Sequence, residues 1–163
     1  MTRERRAELR HRGGLSFSVV TGTGRMLTFG DAAEANELSP VETVTAAIAA
    51  CSAMDVIAIL EKKRLAIDEY TVGVEAVQRD GYPQVLIRVE IVHEVAGPQV
   101  REAAVRRAIE LSALKYCPVN AMLSAGDTEV HHRYRVRAAV GGPVSAEGEV
   151  AVTGPYRRPD PIA

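Results

Sequence analysis

Apolar residues fill every side of one stretch of the chain and alternate with polar ones along several others. The filled stretch runs from Ser39 to Arg64, and from Thr43 to Leu60 its only charged residue is Asp55. At helical spacing, Val44, Ala47, Ile48, Met54 and Ile59 fall on the side of Cys51, and Ala49, Ala53, Val56 and Leu60 cover the other side. A helix that is apolar all round belongs in the middle of a core. Ser39-Pro40-Val41-Glu42 reads as its start: Ser39 is the N-cap, Pro40 the first helical residue, and Glu42 reaches back to close a capping box. Glu61-Lys62-Lys63-Arg64 ends it, with cations in the last turn where the helix dipole favours them. The interrupting Thr, Ser and Asp, together with the small residues, favour close soluble packing over a membrane span. Cys51 is therefore expected mid-helix in buried surroundings.

The alternating stretches predict strands. Leu15 to Val20 is one, Thr21-Gly22-Thr23-Gly24 a turn, and Arg25 to Gly30 the return, within an N-terminal meander of two or three strands behind the short, charged Ala7–Arg12. Asp31 to Leu38 is a polar loop. Tyr70 to Val77 and Val85 to Val95 form a hairpin about Arg79-Asp80-Gly81, with Pro83 delaying the pairing. In its second strand Leu86, Arg88 and Glu90 face away from Val85, Ile87, Val89 and Ile91. Gly97-Pro98 opens a second helix with an apolar stripe of Val100, Ala104, Ala108, Leu111 and Leu114, and with Glu102 and Arg106 one turn apart. Pro118 kinks that helix, or ends it and starts another turn. Thr128 to Val140 is a last long strand. Neighbouring antiparallel runs with two helices between them make an α+β fold. The domain is expected to span 1–140, followed by a loose Gly- and Pro-rich tail, 141–163, with at most a short strand at Glu149 to Val152.

A chain of 163 residues suits one domain with a proper core. A net charge of −1 gives no general attraction to nucleic acid or an anionic membrane, and the absence of tryptophan leaves little for base stacking. The N-terminus carries no apolar run of the secretory kind, which points to the cytoplasm. No glycine-rich phosphate loop follows a strand, so neither a nucleotide nor another cofactor is expected.

Four histidines and two cysteines remain as candidate chemistry. His11, His93, His131 and His132 do not make metal-ligand spacing with the cysteines, and no metal site is expected. His131 and His132 point to opposite faces of their strand, one of them to solvent; His93 is placed on the polar side of its strand or at the sheet edge. Cys51 and Cys117 are distant in sequence, but each lies on a helix that packs in the same core. They are either an attacking and a resolving thiol or two small buried hydrophobes. Asp55, one turn from Cys51 on the same face, raises that thiol's pKa if ionised, so a thiolate there needs a nearby cation.

Leu38-Ser39-Pro40-Val41-Glu42, continuing to Ala49-Ala50-Cys51-Ser52-Ala53-Met54-Asp55-Val56, resembles the central helix of the OsmC/Ohr family of bacterial thiol-dependent peroxidases. Ala108-Ile109-Glu110-Leu111-Ser112 to Lys115-Tyr116-Cys117-Pro118-Val119 resembles the family's second cysteine helix, at the matching interval. The resemblance covers about Ala7 to Val140. It implies antiparallel sheets around two long central helices in an intertwined homodimer, with sites at the subunit interface. It also implies that Cys51 is the peroxidatic cysteine, that Cys117 resolves it to a disulfide, and that an organic or lipid hydroperoxide is the substrate and an external dithiol the reductant. In the hydroperoxide-reductase branch an Arg paired with a Glu holds the thiolate. Glu42 is the nearest match to that Glu but sits one residue closer to the cysteine, roughly 13 Å along the axis from Cys51 and on the opposite side of the helix. Capping is weighed above catalysis for Glu42. Arg25 is the best candidate for the Arg. The chain resembles a less characterised branch, and a redox-sensing or small-ligand-binding protein without fast turnover is the alternative.

Overall fold

The computed structural model describes residues 4–30 and 37–154. They fall into two compact units, divided after Val44.

The first unit is a three-stranded antiparallel sheet in the order β1-β2-β3, with β1 at Ala7–Gly13, β2 at Ser16–Thr21 and β3 at Met26–Phe29. The charged Ala7–Arg12 stretch is thus a strand, paired along its length with β2. Between β2 and β3 the backbone turns on itself: Thr21 N–H donates to the Arg25 carbonyl at 2.9 Å and Gly24 N–H to the Thr21 carbonyl at 2.8 Å. Gly24 sits at φ 79°, a conformation that side chains disfavour and glycine tolerates. Most of the Asp31–Leu38 loop lies outside the described residues. The unit ends in the first turn of helix α1, Pro40–Lys62. Its capping box forms as the sequence predicts. Glu42 N–H donates to Ser39 Oγ at 3.1 Å, and Ser39 N–H donates to Glu42 Oε2 at 3.1 Å.

The second unit holds the rest of α1 and a four-stranded sheet in the order β4-β5-β6-β7: Glu69–Gln78, Leu86–Ala96, Glu129–Arg137 and Val144–Thr153. Two expectations are corrected. The sheet is mixed, because β5 and β6 run parallel. A right-length helical crossover lies between them, which a parallel pair requires. The expected tail supplies β7, ten residues paired antiparallel to β6. Its Gly and Pro content masked the alternation of Ala146, Gly148 and Val150 with Glu147 and Glu149. At Pro118 the second of the two expected outcomes holds: the helix ends and another starts, giving α2 (Glu102–Leu111), a π turn (Ser112–Tyr116) and α3 (Pro118–Ser124). Pro118 starts a new helix at its first position, where its missing N–H costs nothing.

Val56 and Leu60 of α1, Ala104, Val105, Ala108 and Ile109 of α2, and Val95, Tyr134 and Val136 of the sheet form one buried cluster. Helices therefore cover one sheet face. The other carries charge: Arg133 pairs with Glu90 at 3.0 Å, and Arg135 with Glu94 at 3.1 Å and Glu147 at 3.4 Å. Such exposed pairs are worth little singly, but they keep this face polar. In the β4–β5 hairpin the expected alternation holds from Arg88 onward, with Val89 and Ile91 buried, and slips only at the start of β5. Leu86 is buried while Val85 and Ile87 are exposed, because the pairing register shifts between Val77 and Gln78.

Helix α1 is not buried all round. Ile48, Ala49, Ser52, Val56 and Leu60 are buried, while Val44 is 38% and Met54 71% exposed. One apolar side meets the core, and another is left open on a single chain.

Candidate functional site

The site is built around the middle of α1 and the break between the π turn and α3. On α1, Cys51 and Asp55 are one turn apart and project from the same side. Cys117 is the N-cap of α3; its extended backbone, φ −73° and ψ 103°, turns the chain out of the π turn. The sulfurs of Cys51 and Cys117 and a carboxylate oxygen of Asp55 all lie within 4.8 Å of one another. Both cysteines are free thiols; Cys51 is half-buried and Cys117 is buried. The structure therefore brings together the two cysteines that the sequence singled out. Burial, and secondarily the neighbouring Cys51, push the Cys117 thiol up to about 12. Asn120 N–H donates to Cys117 Sγ at 3.3 Å, which opposes part of that shift.

A buried polar chain leads away from the sulfurs. Ser112 Oγ donates to Asp55 Oδ2 at 3.0 Å and lies 3.3 Å from Ser52 Oγ. Ser52 Oγ is 3.3 Å from His93 Nε2, and His93 Nδ1 is 2.8 Å from the Tyr70 hydroxyl. The His93 ring stacks at 6.1 Å on His132, whose Nε2 is 3.1 Å from Asn120 Oδ1. Asn120 also donates from Nδ2 to the Ala113 carbonyl at 2.8 Å and to Thr153 Oγ1 at 3.1 Å. One asparagine thus ties α3 to the π turn, β6 and β7, and its own N–H holds Cys117.

Two histidine placements are corrected. His93 is fully buried, not on a polar side or an edge. It shares its parity with Val89, Ile91 and Val95, all buried, and that alternation was readable in the sequence. His131 and His132 do point to opposite faces, but neither is exposed. His132 enters the core, while His131, on the charged face, is covered by Glu129 at 2.7 Å and Glu149 at 3.0 Å. Burial, and then the neighbouring imidazole, lower His93 to about 3; burial, and then His131, lower His132 to about 4. Both are neutral at pH 7. Ser52, Ser112 and Asn120 had no distinguishing signal, because small polar residues on apolar helices usually pack without a role.

The other two candidates lie in the first unit. Glu42 is fully exposed, and its carboxyl is held below the usual range by its hydrogen bonds to Ser39. Arg25 is exposed in the β2–β3 turn, where its N–H donates to Thr21 Oγ1 at 3.1 Å.

Residues 32–133 match the family model described as OsmC-like protein. Protein YhfA of Escherichia coli strain K12 is 33% identical over 126 residues, which cover 77% of this chain and 93% of that protein. The crystal structure of a hypothetical protein from Aquifex aeolicus VF5 superposes with a TM-score of 0.75 at 28% identity, covering 83% of this chain and 97% of that one. An organic hydroperoxide resistance protein from Elizabethkingia anophelis shares the fold at a TM-score of 0.61 and 19% identity, over 85% of this chain and 98% of that one. The sequence resemblance, the two-sheet α+β architecture and the paired cysteines thus agree, and the chain belongs to the OsmC-like protein family.

Proposed function

We propose that the chain is a thiol-dependent peroxidase that reduces organic hydroperoxides to alcohols. The observation that carries this reading is the approach of Cys51 and Cys117, free thiols whose sulfurs lie within 4.8 Å of each other. Closing that gap to a disulfide of about 2.05 Å needs a movement of under about 3 Å. The roles follow from environment. Cys117, with its thiol raised to about 12, stays protonated at neutral pH, which leaves the more accessible Cys51 as the attacking thiolate. Cys51 sulfur attacks the terminal peroxide oxygen and the O–O bond breaks. The alkoxide leaves and takes a proton from water, giving the alcohol and a Cys51 sulfenic acid. Cys117 sulfur then attacks Cys51 sulfur; the displaced hydroxide and the thiol proton leave as water. An external dithiol reduces the resulting disulfide.

A second copy of the chain covers the open apolar side of α1 in this reading. Glu42 acts there as the helix cap, and Arg25 is the candidate cation for the thiolate. The setting is the cytoplasm. The Asp55 carboxylate beside both sulfurs favours a second reading, a redox sensor with slow turnover, because a carboxylate disfavours a thiolate.

One titration separates the two. Chelator-treated, reduced protein is mixed with cumene hydroperoxide or hydrogen peroxide and the thiols are counted with time in wild type, Cys51→Ser and Cys117→Ser. A peroxidase loses both thiols rapidly with the organic peroxide, and Cys51→Ser keeps its remaining thiol. Loss only over hours sinks the peroxidase and leaves the sensor.

A further inference from the structure

We propose that Cys51, Asp55 and Cys117 form a binding site for a thiophilic divalent cation of the zinc class, occupied only while both cysteines are reduced. Three ligand atoms of the types zinc prefers, two sulfurs and a carboxylate oxygen, converge within 4.8 Å. A tetrahedral zinc ion with bonds of about 2.3 Å to sulfur and about 2.0 Å to oxygen sets these atoms about 3.5–3.8 Å apart. Each edge of the triangle therefore contracts by at most about 1.3 Å on binding.

The surroundings aim the ligands. Ser112 Oγ donates to Asp55 Oδ2 at 3.0 Å, which fixes one carboxylate oxygen and leaves the other lone pairs to the site. Asn120 N–H donates to Cys117 Sγ at 3.3 Å and is buried with it. Outer bonds of these two kinds orient ligands in metal centres. The charge also suits a cation: once it displaces the thiol protons it meets two thiolates and a carboxylate, and among the described residues no ion pair reaches Asp55. A bound cation replaces the two thiol protons, which pass to solvent, and a water completes the fourth position. No oxidation is involved. Because the ion and a disulfide need the same sulfurs, each excludes the other, and the cation guards the thiols against peroxide.

The inference rests on the reduced thiol pair of the peroxidase reading, but its test needs no turnover. Full-length reduced protein, freed of metal by chelation, is titrated anaerobically with Co²⁺ and then Zn²⁺. The expected result is a near-ultraviolet thiolate-to-cobalt charge-transfer absorption that saturates at one ion per chain and is displaced by Zn²⁺. Cys51→Ser and Cys117→Ser each lose tight binding. Asp55→Asn keeps the absorption but weakens the affinity about tenfold or more; if it does not fold, Ser112→Ala, which frees the carboxylate, weakens it in the same direction. Protein carrying the disulfide shows no absorption. No saturable absorption in wild type, or equal affinity in Asp55→Asn, overturns the site. Rapid thiol loss to peroxide with no cobalt absorption overturns the metal site alone. Cobalt absorption without peroxide-driven thiol loss overturns the peroxidase alone.

Discussion

At the residue scale, the chemistry depends on how a few polar side chains are held inside an apolar core. Asn120 is the extreme case: it is 1% exposed and bonded to Ala113, Thr153 and His132, while its N–H supports Cys117. Truncating it strands several buried groups, each costing about 1–3 kcal/mol. Asn120→Ala is therefore expected to lose at least about 2 kcal/mol in urea unfolding and to slow disulfide closure, since α3 and the Cys117 that caps it lose their side-chain ties to the π turn and the sheet. An unchanged unfolding midpoint contradicts the network. Cys51, Cys117 and Asp55 were legible as candidates because their types are rare in the stretches that carry them. Asn120, Ser52 and Ser112 were not, since their partners come from distant elements, and a hydroxyl or amide leaves no mark on a local pattern.

Among the elements, α1 shows how much local rules decide and where they stop. The Ser39–Glu42 capping box, the first-position proline and the breaking of the second helix at Pro118 were all written locally, and the structure contains each of them. Ser39→Ala is expected to cost about 1 kcal/mol of stability, read as a lower urea midpoint. Glu42→Gln keeps most of the cap and should retain peroxide-driven thiol loss; abolished thiol loss with unchanged stability assigns Glu42 a role in the chemistry instead. Strand β7 is longer than the Glu149–Val152 strand that the sequence allows, because its pairing with β6 is nonlocal and glycine weakens the alternation signal. The parallel β5–β6 pairing is likewise a property of the crossover and not of either strand. The exposed side of α1 has the same origin: composition gives a helix apolar all round, but a single chain covers only part of it.

For the whole molecule, the two neutral imidazoles in the core make stability depend on pH. His93 faces His132, Tyr70 and Ser52, and His132 faces His93 and Asn120, with His131 beside it in the chain on the opposite face. With folded values of about 3 and about 4 against an ordinary value of about 6.5, the unfolded chain binds more protons between those limits. Stability therefore rises with pH through the window and is lost as pH falls from about 6.5. From pH 7 to pH 5 each imidazole removes about 2 kcal/mol. The unfolding midpoint should drop over that range, and His132→Gln should flatten the drop even where it lowers the midpoint at pH 7. A midpoint unchanged between pH 7 and pH 5 means that these rings are not buried neutral. At the same scale, sedimentation is expected to show a dimer that Met54→Glu, on the open side of α1, converts to monomer; a monomeric wild type removes the second copy from the account.

The central claim is that Cys51 and Cys117 act as one redox pair, and the most direct test is to map the bond. Reduced protein is treated with one equivalent of cumene hydroperoxide, quenched within seconds, and examined by intact mass and peptide mapping without reduction. The account predicts a loss of two hydrogen atoms per chain and a single cross-linked peptide pair joining Cys51 to Cys117, both reversed by an added dithiol. A Cys51 that accumulates as sulfenic or sulfinic acid while Cys117 remains a free thiol contradicts it.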